Sequence, residues 1–107
     1  MLGPITYSFA SELWLSSGKG GWWFVSLPVG LSAEIRSSMQ RLEGGWGRLH
    51  VSAQVGDTTW STAIWYDTKR ETYLLPIKTN VRKKEGLESG QLVHVKIRIR
   101  YHVSICS

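Results

Sequence analysis

The sequence predicts a mainly β fold, a small six-stranded barrel or split barrel with one amphipathic helix and one short helical turn. Three observations carry this expectation. Apolar and polar residues alternate with a period of two along most of the chain, the signature of strands with one buried face. Glycine, proline and aspartate interrupt those runs at short intervals, where the chain must reverse. Only one stretch, Ser32 to Leu42, repeats its apolar residues at helical spacing. Strands this apolar would present adhesive edges in an open sheet, and closing the sheet into a barrel removes them.

The elements follow in order. In Ile5 to Leu15 the odd positions Ile5, Tyr7, Phe9, Leu13 and Leu15 are apolar while Thr6, Ser8 and Glu12 are polar, which predicts a first strand. The glycine-rich turn Ser16 to Gly21 leads into a second strand, Trp22 to Leu27, so the two form a hairpin. Pro28 ends the second strand because it has no N–H to donate. Ser32 is the expected helix N-cap, with Glu34 near the positive end and Leu31, Ile35, Met39 and Leu42 on one face. Gly44-Gly45 stops that helix.

The third strand, Trp46 to Val55, sets Leu49, Val51, Ala53 and Val55 against Arg48, His50, Ser52 and Gln54. Gly56-Asp57 turns the chain into Thr58 to Tyr66, rich in β-branched and aromatic residues, and a polar turn from Asp67 to Glu71 precedes Thr72 to Ile77. Pro76 should end that fifth strand. Asn80 to Glu85 reads as a short helix closed by Gly86. The last strand, Gln91 to Val103, points Val93, Val95, Ile97, Ile99, Tyr101 and Val103 inward, with His94, Lys96, Arg98, Arg100 and His102 on its other face.

A length of 107 residues suits one domain, 1–107, whose core needs no disulfide or metal staple. Thirteen Lys and Arg against eight Asp and Glu leave a net charge of +5, which favours anionic partners without naming one. The single cysteine, Cys106, excludes an intrachain disulfide and a metal site built from cysteine pairs. No run approaches the roughly 20 apolar residues of a membrane span, and the N-terminus lacks the basic and apolar regions of a signal peptide. The expectation is a cytoplasmic protein that does not engage membranes.

Several strings resemble one family. Phe9, Leu13-Trp14, Gly21-Trp22-Trp23-Phe24-Val25-Ser26-Leu27-Pro28, Gly47 to Ala53, Gly56, Trp60-Ser61-Thr62, Tyr73 to Ile77, Val81-Arg82-Lys83 and Gly86-Leu87 through Gly90 stand in the order seen in a bacterial family called domain of unknown function 1905. The resemblance covers roughly Ile5 to Arg100 and implies a small β-barrel with no established activity. Gln91 departs from it, since the family tends to place an acidic residue there. A partial resemblance, carried by Leu75-Pro76, Val81-Arg82-Lys83, Gly86-Leu87, Gly90, Val93 and Val95, is to the swapped-hairpin half-barrels of AbrB-like regulators and MazE-like antitoxins, which bind DNA as dimers.

Two candidate sites emerge. Trp22 and Phe24, Arg48 and His50, and Trp60 and Thr62 each share a strand face, and if those faces meet they make an aromatic cleft with one positive charge, suited to a small anionic ligand or a peptide. The alternative is a nucleic-acid surface built from Lys78, Arg82, Lys83 and Lys84 together with Lys96, Arg98 and Arg100. A solvated barrel face explains that stripe as well, and Trp22, Trp23, Trp60 and Trp65 could stack bases or fill a core. His50, His94 and His102 are scattered with no carboxylate at dyad or metal spacing, so no catalytic residue, cofactor or metal is expected. The expected protein is a binding module for a small molecule or a protein, acting as a monomer or weak dimer.

Overall fold

The computed structural model describes residues 5–17, 21–39 and 48–99. The expected features at Gly18 to Gly20, Leu42, Gly44-Gly45, Trp46, Gly47, Arg100 to Val103 and Cys106, and the side chain of Met39, lie outside the described residues. Six strands form a closed antiparallel barrel: β1 (Ile5–Leu15), β2 (Trp23–Ser26), β3 (Arg48–Val55), β4 (Thr58–Asp67), β5 (Thr72–Pro76) and β6 (Leu92–Ile99). Around the barrel the order is β1-β2-β5-β4-β3-β6, with β6 returning to β1. Three of the six pairings, β1–β2, β3–β4 and β4–β5, join strands adjacent in sequence, and the long-range pairings β2–β5, β3–β6 and β1–β6 complete the wall.

Directly opposed residues in an antiparallel pair share a face, so the register identifies the interior. Leu13 faces Val25, Val25 faces Leu75, Leu49 faces Ile64, and Ala53 faces Ile97. All are buried, with Val25, Ile64, Leu75 and Ile97 fully enclosed. The alternation read from β3 and β6 is therefore the inside and outside of the barrel. Pro76 is the last residue of β5 and pairs only with Phe24, beyond the point where β4 leaves β5.

Helices close the two ends. Helix α1 (Val29–Met39) follows β2 and packs against the start of β5, with Ile35 fully buried and Leu31 resting on the core. It begins earlier than its sequence signals suggest, because the Pro28 carbonyl already accepts the Ser32 amide at 2.8 Å. Ser32 is thus not the cap but a buried bridge. Its hydroxyl donates to the Leu27 carbonyl at 3.4 Å and accepts the Tyr73 amide at 3.0 Å, tying helix, strand end and sheet together. At the other end α2 (Thr79–Glu85) follows β5, buries Val81, and stops at Gly86, whose φ of 64° is the left-handed conformation that glycine adopts without strain. Further small differences at element ends are that Trp22 precedes β2, Ile77 follows β5, and Gln91 precedes β6.

Candidate functional site

The outer wall of β1, β2, β5 and β4 carries a second apolar cluster. Trp14 lies directly opposite Phe24 across the first hairpin, and Trp65 opposite Leu74 across β4 and β5. Phe24 is only 7% exposed although it points away from the barrel interior. Rings cover it: Trp14 at 5.2 Å, Trp65 edge-on at 5.5 Å, and Trp22 nearly parallel at 6.2 Å. The Trp14 indole N–H donates to the Ser26 hydroxyl at 2.9 Å, and the Arg70 guanidinium, paired with Asp67 at 2.6 Å, lies over the Trp14 ring at 4.7 Å. Trp22 remains 54% exposed. It is a flat apolar surface braced from behind.

Trp22 also lines a cleft of about 270 Å³ shared with Trp23, Pro76, Lys78, Thr79 and Arg82. Chain connectivity builds it: the end of β5 runs into α2 beside the start of β2, held there by the Ile77 amide donating to the Trp23 carbonyl at 2.9 Å. Arg82, one turn into α2, lays its guanidinium over Trp23 at 4.5 Å and donates from Nη2 to the Thr79 hydroxyl at 2.9 Å. Its Nε is buried and has no hydrogen-bond partner among the described residues. Among the described residues no acidic side chain lines the cleft. Two cations and two indoles converge there without a counter-charge.

The six residues expected to share one cleft fall on both sides of the sheet. Trp22, Phe24, Arg48 and His50 are on the outside, where Arg48 faces Trp65 and His50 faces Ala63. Trp60 and Thr62 face inward, opposite Ala53 and Val51. Each pair does share a face, as its spacing requires, but the pairs do not meet across the barrel wall. Trp60 is part of the core packing and its Nε1 is buried without a partner among the described residues.

The basic residues of the alternative site also separate. Lys78, Arg82, Lys83 and Lys84 belong to the α2 end, and Lys96 and Arg98 to the outer face of β6. Arg100 lies outside the described residues. Thr79 is a site residue that the sequence reading passed over, and Trp23 entered it only as a base-stacking or core residue: Trp23 alternates inward with Val25, and only its position at the strand end brings it to α2. The Trp14–Phe24 pairing, by contrast, follows from the hairpin register. Among the described residues no group of three His, Cys, Asp or Glu side chains could hold a metal ion, and no helix is long and apolar enough to cross a membrane.

A barrel closed by two short helices, with the Leu-Trp, Gly-Trp-Trp-Phe and Leu-Leu-Pro strings at its aromatic wall, places the family marks in three dimensions. The sequence profile described as domain of unknown function (DUF1905) matches residues 9–97, most of the chain. The chain belongs to that family. No curated protein matches it. Within this DUF1905 barrel the AbrB-like segment, residues 75–95, supplies the end of β5, α2 and the start of β6, all closed within a single chain. Gln91, where the DUF1905 family tends to be acidic, accepts the Glu88 amide with its side-chain oxygen at 3.0 Å and so closes the turn before β6.

Proposed function

We propose that the protein is a non-catalytic binding module that takes a small anionic ligand with a planar apolar part in the cleft between β2 and α2. The observation that carries this reading is Arg82, its guanidinium held over Trp23 beside Lys78, in a cleft that no acidic side chain lines among the described residues. A guanidinium fixed in this way offers a carboxylate or phosphate charge-assisted hydrogen bonds with little ordering left to pay for. Trp22, braced by Phe24, offers a ring face to the planar part. Among the described residues that line the cleft no nucleophile stands beside a base, so the reading is binding alone. Six strands of one chain close the barrel, which supports action as a monomer. The single cysteine fits a reducing cytoplasm.

The test is a titration with aromatic carboxylates and aromatic phosphates, followed by tryptophan fluorescence. The expected result is saturable quenching that weakens by about tenfold or more in Arg82→Met, the scale of losing a charged hydrogen bond. Methionine keeps the apolar stem over Trp23, so the change reports the charge. If no member of the panel saturates, or if the variant binds equally well, the reading is wrong.

A further inference from the structure

We propose that the outer wall formed by β4, β3, β6 and β1 is a docking surface for the phosphodiester backbone of duplex nucleic acid, bound without sequence readout. The register lays out its chemistry in rungs. One rung runs Thr6, Arg98, Ser52, Ser61, and the next runs Ser8, Lys96, Gln54, Thr59. Ala10 beside His94 begins a third. Lys96 and Arg98 thus stand on the same face of β6, about 6.7 Å apart along the strand, with hydroxyls or an amide on both flanking strands.

These two cations are exposed and form no ion pair with any described residue. No acidic residue lies in the three rungs. Glu12, opposite Leu92, comes only one outward position beyond Ala10. Three shallow concavities, of about 490, 330 and 160 Å³, open on this wall. They exist because short side chains, Ser8, Ala10, Ser52 and Ser61, flank the long ones. Charges that neutralise phosphates, bordered by hydroxyl and amide donors, are the contacts that hold a backbone in register without reading bases.

The duplex is favoured over a single strand by what the rungs lack. No Trp, Tyr or Phe points outward in them, and the outward aromatic cluster sits on the other wall of the barrel. Single-strand binders need such rings as stacking platforms for exposed bases. A duplex keeps its bases stacked and offers its backbone, which is what this surface can bind. The wall is separate from the Trp23–Arg82 cleft and does not depend on it.

The experiment is fluorescence anisotropy of the full chain with two labelled duplexes of unrelated sequence at about 50 and about 200 mM salt. Two to three neutralised phosphates predict a log-log slope of about −1.8 to −2.7 and an affinity loss of about 12- to 40-fold over that range, equal for both sequences. Lys96→Gln with Arg98→Gln should reduce affinity at low salt by about tenfold or more. Lys69→Gln with Arg70→Gln removes the same charge from exposed sites off this wall and should cost less than about twofold. Equal losses in the two double variants would reduce the attraction to bulk charge and overturn the proposal. So would tighter binding to the corresponding single strand, or equal binding to a sulfated polysaccharide or to anionic vesicles.

Discussion

The carboxylate of Glu85, at the end of α2, occupies the space that a side chain on Gly56 would need. Glu85 accepts a hydrogen bond from the Thr58 hydroxyl at 2.6 Å, and its Oε1 and Cδ crowd the position of a Cβ on Gly56. Gly56 itself has a φ of +56° in the two-residue turn that joins Val55 to Thr58. One glycine therefore serves both the β3–β4 hairpin and the seating of the helix that plugs that end of the barrel.

Gly56→Ala should be more destabilising than Gly86→Ala. Both positions have positive φ, which costs a residue with a Cβ about 1–2 kcal/mol, but open space surrounds Gly86. Only at Gly56 must the Glu85–Thr58 contact also break. Urea unfolding of the two variants checks this, and equal losses would show that Glu85 moves aside freely.

Ile35→Ala should cost about 2–5 kcal/mol, since the side chain is fully buried where α1 meets the core. Val29, on the same helix but 61% exposed, should tolerate alanine within about 0.5 kcal/mol. Chemical denaturation of both measures the contrast. A small effect at Ile35 would mean that α1 is not part of the cooperative unit.

Ser32→Ala should destabilise by about 1–3 kcal/mol, because it removes the buried acceptor of the Tyr73 amide and the donor to Leu27. Hydrogen exchange provides the specific readout. The Tyr73 amide should exchange faster in the variant than neighbouring β5 amides do, whereas an N-cap role would show at the first helical amides instead.

Asp67 gives the fold a pH-dependent contribution. The hydrogen bond from Arg70 holds its carboxyl below the ordinary carboxylate range, helped by the Lys69 and Arg70 amides against some desolvation. A depressed pKa stabilises the folded state above the unfolded carboxyl's pKa, and that stabilisation is lost as pH falls through the folded value. Asp67→Asn should therefore lower the urea midpoint slightly at neutral pH. The difference from the parent should shrink on acidification below the usual carboxylate range, and a constant gap at every pH would assign the effect to the turn geometry alone.

Much of the fold was legible because strand alternation is a local property. The period of two in Arg48 to Val55 and Leu92 to Ile99 names the inward residues outright, and the glycines at 56 and 86 mark the turns that need positive φ. Ser32 was misread for an equally local reason: a serine before a helical pattern is the ordinary cap, and only its contact with Tyr73, 41 residues away, reveals the other role.

The sequence by itself determined the sorting of side chains into two faces along each strand, the place of the turns, and the sign of the charge. Which face is the interior of β4, and which strands lie side by side, depended on barrel closure. Closure sends Trp60 and Thr62 inward while Phe24, Arg48 and His50 stay outside, and it separates α2's basic residues from those of β6. It also brings Trp23 under Arg82. Alternation fixes only the relation between neighbours on one strand; contacts between strands are set by register and order around the barrel, which arise from burying all the apolar faces at once.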